Sequence, residues 1–287
     1  IYSDNLKKEK LINFENNNNE LFSIIRNQNL FDLLEKSLSK SKYFKRINDL
    51  KNLNFLKCYS LVINTEFTHP ITKKYFSKKI IKEYNSVAYT TTIHHEKIHN
   101  DTAVQIFTKK GPLAFLPISN NETSIVYSIY NSNDKKKENL EELIRNYNFK
   151  YKINKICKIN SFELKSLNLR SYFNNNILAF GDLLHRIHPL AGQGFNMTIR
   201  DIKILTNIIN NKINLGLQLD CSINEEFERK LKHKNFIFSN GVDLIHEFFN
   251  IERKTKSDIL SKSVRLLGKN SSVNKIFTKI ADKGILF

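Results

Sequence analysis

The spacing of apolar residues changes character several times along the chain, and each change predicts a different element. IIRNQNLFDLLEKSL (24–38) puts Leu30, Leu33, Leu34 and Leu38 on one helical face, with Asn29 placed to cap the helix. CYSLVINT (58–65) is a short apolar run suited to a buried strand. From Ser86 the segments become rich in β-branched and aromatic residues: SVAYTTTIHH (86–95), TAVQIFT (102–108), GPLAFLPIS (111–119) and TSIVYSIY (123–130). Lys109-Lys110-Gly111-Pro112 and Ser119-Asn120-Asn121 supply turns between them. Four strands with no helix between them predict an antiparallel sheet.

Helical spacing returns at ENLEELIRNY (138–147), followed by strand-like ICKINSFEL (156–164) and NNILAF (175–180). The remainder is predicted helical over 195–213, over 223–250, over 256–268 and over 273–283, and Asn240-Gly241 could interrupt the second of these. Residues 1–23, including the Asn-rich NFENNNNE, read as short strands or loop. No internal repeat is visible.

Flexible residues are scarce, with eight glycines and four prolines in 287 residues, yet GDLLHRIHPLAGQGFNM (181–197) holds three of those glycines and one proline. A strand runs into it and a helix runs out of it. Asp182 at the carboxyl end of a strand sits where open α/β sheets bind ligands, and its carboxylate can accept hydrogen bonds from sugar or polyol hydroxyls. Gly192 and Gly194 allow close backbone approach, and the helix that follows offers unpaired N–H groups and a positive dipole end. That set suits a phosphate, a dinucleotide or a reduced flavin. A Gly-x-Gly alone is equally satisfied by a tight strand-to-helix turn.

A hydrophobic fraction of 40% supports a real core. The formal charge of +18 points either to an acidic partner or to a genome whose codons favour Lys, Asn and Ile. The basic residues are spread along the chain rather than gathered in a stripe, which argues against nucleic acid as the partner. Cys58, Cys157 and Cys221 are sparse and far apart, a pattern of reduced cytoplasmic thiols. No apolar run is long enough to span a bilayer, and the first ten residues do not form a signal peptide. His185 and His188 lack further metal ligands at a recognisable spacing, so no metal is expected. His94, His95 and His99 read as ordinary strand residues. Tyr89, Phe107, Phe115 and Tyr127 either line a ring-binding pocket or pack one sheet face.

Taken whole, G-D-x-x-H-x-x-x-P-x-x-G-Q-G-x-N resembles the second flavin motif of class A flavin-dependent aromatic hydroxylases, and HRIHPLAGQGFNMTIRD is most similar to the UbiH-like branch of ubiquinone biosynthesis. HNDTAVQIFTKKGPLAFLPIS (99–119), SFELKSLNLRSYFNNNILAFGD (161–182), FERKLKHKNFIFSNGVDLIHEFF (227–249) and IIRNQNLFDLL (24–34) resemble other segments of that family in the same order. The resemblance implies an α/β fold like that of para-hydroxybenzoate hydroxylase: a partial FAD-binding Rossmann-like domain, an inserted antiparallel sheet for substrate and a helical C-terminus. Residues 1–23 and 81–165 would form the substrate domain, 24–80 and 166–215 the FAD domain, and 216–287 the helical region.

The implied activity is hydroxylation of a polyprenylated aromatic ring with FAD, NAD(P)H and O₂. It would act in the cytoplasm, peripherally at the anionic inner face of the membrane and in contact with a ubiquinone-synthesis complex. By position, Gly181 and Asp182 would hold the ribityl chain and Pro189 would shape the loop over the ring. Gly192, Gln193, Gly194, Phe195 and Asn196 would present backbone donors to the flavin pyrimidine edge. Gln28 stands where the family often has Arg and would be a further flavin contact. No side chain stands out as an acid, base or nucleophile. The chain departs from the family in two places. It has no strand–GxGxxG–helix unit, and Ile1 falls past that unit in the family pattern, so a longer natural protein is expected. INTEFTHP (63–70) stands where the family has Gly-Ala-Asp-Gly, with Glu66 for Asp and Phe67 for Gly. These departures favour the alternative of a catalytically degenerate relative serving as a scaffold subunit.

Overall fold

The computed structural model describes residues 1–4, 10–14, 21–47, 56, 58–130, 139–188, 192–255, 262 and 266. Over these residues the chain forms two compact units, one from Ile1–Leu53 and Val87–Phe162, the other from Asn54–Ser86 and Glu163–Ser263. Residues 24–47 therefore group with the first unit, although the sequence reading placed 24–80 together. One tie there is the ion pair between Arg26 and Glu122, 2.6 Å apart.

In the first unit β4 (Val104–Thr108), β5 (Gly111–Ser119) and β6 (Glu122–Tyr130) form an antiparallel meander. β1 (Tyr2–Ser3) joins β4 in parallel, and β3 (Lys79–His95) lies beside β6. Strict alternation along β5 sends Leu113 and Phe115 inward, where they meet Ile93, Ile125 and Tyr127. Phe115 and Tyr127 are thus packed sheet core, and the Tyr127 hydroxyl shares a 3.0 Å hydrogen bond with Thr108. α3 (Leu140–Tyr147) is capped by the Asn139 side chain, which accepts from the Glu142 N–H at 3.3 Å, and it buries Ile144 against the same core. α1 (Asn27–Ser39) starts one turn earlier than expected: Arg26 is the extended N-cap, and Asn29 lies inside the first turn. The strand expected over 156–164 is two strands, β7 (Ile153–Ile156) on β3 and β8 (Asn160–Leu169). Pairing with β3 continues one residue past β7, where the Cys157 N–H is held by the Thr92 carbonyl at 2.9 Å.

In the second unit β10 (Ile177–Ala179) is flanked by β2 (Val62–Asn64) in parallel and β9 (Phe173–Asn174) in antiparallel. Its three residues are all buried, which suits an apolar run with no polar alternation. Leu183, Leu184, Ile208 and Phe227 close the core around it. α4 (Gln193–Asn214) and α5 (Ser222–Thr255) supply Ile208 and Phe227. α5 passes through Asn240-Gly241 without interruption. Phe238 and Val242 are buried on either side, and Asn240 donates its amide to the Phe236 carbonyl at 2.7 Å, within the helix. The helices expected over 256–268 and 273–283 lie outside the described residues, apart from single positions.

A buried polar cluster also belongs to this unit. Tyr84 on β3 donates its hydroxyl to Asp243 on α5, and Lys82 lies 3.7 Å from the same carboxylate. The Tyr84 ring meets His188 edge-on at 4.9 Å and His246 at 5.0 Å, and the two imidazoles are 4.4 Å apart. Burial, then the Asp243 contact, push the Tyr84 phenol above its usual range. His188 is 1% exposed, and neither ring nitrogen has a hydrogen-bond partner among the described residues. Burial, with His246 adding to it, lowers its pKa to about 3.

Two predictions follow from this packing. A Cβ on Gly111, at φ +137°, would stand 2.0 Å from the Ser128 carbonyl oxygen, whereas one on Gly216 would meet nothing within 4 Å. Gly111→Ala should therefore cost more than about 2 kcal/mol in urea unfolding, and Gly216→Ala only about 1. His188 gains its proton near 6.5 in the unfolded chain and near 3 in the folded one. Between those values the unfolded state binds the extra proton, so stability falls as pH falls, by up to about 1.4 kcal/mol per unit from this group. Unfolding curves at pH 7, 6 and 5 should show that loss, with a shallower slope in His188→Phe.

Candidate functional site

β10 delivers the chain to the site. The Phe180 N–H is held by the Asn64 carbonyl at 2.9 Å, so the strand stays bound to β2 until its last residue. Gly181 then takes φ +63°, a left-handed turn that glycine enters without strain. A single 3-10 turn, Gly181–Leu183, closes with the Leu184 N–H on the Gly181 carbonyl at 2.9 Å. This turn buries Leu183 and Leu184 and leaves Asp182 exposed. The Asp182 carboxylate makes no hydrogen bond or ion pair with any described residue.

α4 packs against this turn. Its N-cap is Gly192, in a left-handed conformation (φ 63°, ψ 23°), with no side-chain cap and no acid in the first turn. Helix geometry leaves the first four N–H groups without intrahelical acceptors and gives this end a positive partial charge. A Cβ built at Gly192 or Gly194 meets nothing within 4 Å. Gly192, Phe195 and Asn196 are exposed, and Gln193 and Gly194 half-buried. An open cluster of backbone donors, free of competing protein acids and beside an exposed carboxylate, fits a planar group that is or becomes anionic and carries a polyol chain. A flavin has both parts. Pro189 lies outside the described residues. Gln28 belongs to the first unit, on α1, where its amide donates to Asp32 at 2.7 Å.

Beneath the turn, β11 (His185–Arg186) pairs with β8, His185 opposite Asn168. His185 Nε2 lies 2.6 Å from Asp201 Oδ2 on α4, both side chains 1% exposed. Asp201 escaped the sequence reading. Its signal was an acid in the apolar stripe Met197–Asp201–Leu205–Ile208, where helical spacing calls for an apolar residue. INTEFTHP is tied to itself and to the short helix α2 (Pro70–Tyr75): Asn64 donates its amide to Thr72 Oγ1 at 2.8 Å and accepts the Glu66 N–H at 3.2 Å, and the Thr72 hydroxyl donates to the Glu66 carbonyl. Phe67 lies under the Arg186 guanidinium, 4.3 Å from ring centroid to carbon. Among the described residues no group of three His, Cys, Asp or Glu could hold a metal. A cleft of about 800 Å³ between Arg170–Phe173 and α5 contains none of the motif residues, so the motif is read from its donors and not from cavity size.

Comparison with known proteins identifies relatives of this chain. The chain is 25% identical over 175 residues to a 3-demethoxyubiquinol 3-hydroxylase of Escherichia coli, covering 58% of this chain and 45% of that protein. It is 23% identical over 231 residues to the mitochondrial ubiquinone biosynthesis monooxygenase COQ6 of Drosophila melanogaster, covering 66% and 48%. The chain thus spans under half the length of these relatives. Its fold matches the p-nitrophenol 4-monooxygenase PnpA of Pseudomonas putida (TM-score 0.63, 12% identity, 78% of this chain and 59% of that one). It also matches a Klebsiella pneumoniae HpxO variant complexed with FAD (TM-score 0.59, 10% identity, 77% and 61%). The model of the family described as FAD binding domain matches residues 71–214, half of the chain, and the chain belongs to that family.

Proposed function

We propose that this chain is part of an FAD-dependent monooxygenase that hydroxylates a polyprenylated aromatic ring in ubiquinone biosynthesis, using NAD(P)H and O₂. The observation that carries the reading is the uncapped, acid-free N-terminus of α4 with its two open glycines, packed against the turn that exposes Asp182. Bound FAD would supply hydride acceptance and oxygen activation. The chain's own residues would bind and orient it. Gly181 and Asp182 would meet the ribityl hydroxyls, with the carboxylate accepting. Backbone N–H groups of Gly192, Gln193, Gly194, Phe195 and Asn196 would face the pyrimidine edge, where charge develops on reduction. Leu183 and Leu184, both fully buried, keep water from beneath. Pro189 and Gln28 join the set through the family resemblance alone.

The proposed substrate class is supported by the relatives, whose names refer to ubiquinol hydroxylation and ubiquinone biosynthesis. A polyprenyl tail resides in a membrane, and no helix among the described residues is long and apolar enough to cross one. The reading we propose is a cytoplasmic protein that meets the anionic inner face peripherally through its excess of positive charge, within a quinone-synthesis complex. One observation favours the scaffold alternative: the Phe67 ring, held under Arg186, occupies the place of a family glycine.

The test is the colour of the natural-length protein. It should purify with a flavin spectrum that bleaches on adding NAD(P)H, and Asp182→Ala should weaken FAD binding roughly tenfold or more, the loss of a charge-assisted hydrogen bond. A colourless protein that ignores added FAD would overturn the enzyme reading. Bound FAD that NAD(P)H never reduces would favour the scaffold.

A further inference from the structure

We propose that the buried His185–Asp201 pair is a positioning device that sets the axial register of α4, and with it the place of the Gly192–Asn196 donors relative to Asp182. This deepens the flavin reading and rests on it for its consequence in binding, though not for its mechanical part.

The two residues stand on opposite sides of the loop that carries the motif. His185 follows Asp182 by three residues and is held in β11 against β8. Asp201 lies nine residues beyond the Gly192 cap, roughly 13 Å down the helix axis. His185 Nε2 lies 2.6 Å from Asp201 Oδ2, so one shared proton joins the two buried groups. Around them the α4 face is apolar: Met197 one turn before, Leu205 one turn after, then Ile208. Leucine and methionine stripes tolerate a helix sliding by a turn, because each apolar residue can replace the next. A single carboxylate in the stripe does not. Sliding α4 by one turn would put Asp201 against apolar neighbours and leave His185 facing Met197 or Leu205, each move stranding a buried polar group.

A buried ion pair adds little stability over an apolar pair of the same volume, because both groups are desolvated. Its distinctive effect is that only one register satisfies it, the role that single polar residues play in coiled-coil seams. Here that register decides where the uncapped first turn sits above the Gly181–Leu183 turn. Nothing else polar on the buried face of α4 could set it, since Asp201 is the sole charged residue among its buried positions.

The experiment compares Asp201→Asn, His185→Leu and His185→Gln with Leu205→Ala, which damages the same stripe but leaves the pair intact. The first readout is amide hydrogen exchange of Met197–Arg200 in the flavin-free chain, because these N–H groups bond to the carbonyls of Gln193–Asn196 and report the first turn. The second is the FAD dissociation constant of the natural-length protein, from flavin fluorescence well below the melting temperature. Asp201→Asn and His185→Leu should speed exchange at 197–200 by at least about tenfold over Leu205→Ala at matched loss of Tm. They should also weaken FAD binding roughly tenfold. His185→Gln, whose amide can still donate to Asp201, should recover most of both. Exchange no faster than in Leu205→Ala, or failure of His185→Gln to rescue, overturns the positioning role. Faster exchange together with a wild-type protein that takes up no FAD leaves positioning intact and removes the flavin reading instead.

Discussion

A strand buried on every side cannot keep a polar residue, and that constraint on β10 organises the second unit. Ile177, Leu178 and Ala179 are shielded by the helices and by their strand neighbours, so the first place the chain can carry a charge is the residue after Gly181. The turn at Gly181 uses a left-handed conformation to bring Asp182 out while folding Leu183 and Leu184 back into the core. Exposure of the carboxylate and burial of its two successors are one event. The parallel partner β2 and the main-chain bond from Phe180 to Asn64 fix where that event occurs.

The underside of the motif is unusually polar for a core. His185, His188, Asp201 and His246 are each at most 3% exposed. Desolvation of these groups opposes folding, and apolar residues of similar size would stabilise the unit at least as well. Their presence is better understood as shape and register than as adhesion. His188 stays neutral, and its ring packs against both Tyr84 and His246, which also touch each other. The Tyr84–Asp243 bond ties β3 to α5, and the His185–Asp201 pair ties β11 to α4. Each polar contact joins a strand on which the motif rests to a helix that must arrive at a set position.

Much of this was legible in the residues themselves. Alternation over 111–130 specified β5 and β6, because a sheet with one face on a core leaves a period of two in the sequence. The Gly-Asp turn and the glycines before α4 were legible because a left-handed backbone and an open helix end each demand a particular residue type. What failed were boundaries and long-range pairings. Asn29 is a good capping residue, yet the helix began at Arg26, a residue bound through its side chain to Glu122, 96 positions away. Asn240-Gly241 has the composition of a break, but buried Phe238 and Val242 outweigh a propensity penalty of about 1 kcal/mol. Asp201 carried a local signal, an acid in an apolar stripe, whose meaning depended on a histidine 16 residues earlier.

The Phe67–Arg186 contact bears on why the motif is kept while INTEFTHP departs from the family. A glycine at position 67 would leave its backbone open to a ligand, whereas phenylalanine closes that approach and offers an aromatic face. Arg186 is exposed, next to buried His185, so its stem is anchored by the strand while its head can move. The ring holds that guanidinium 4.3 Å from its centroid. The substitution thus removes one open backbone surface and supplies an aromatic partner for the Arg186 guanidinium in its place.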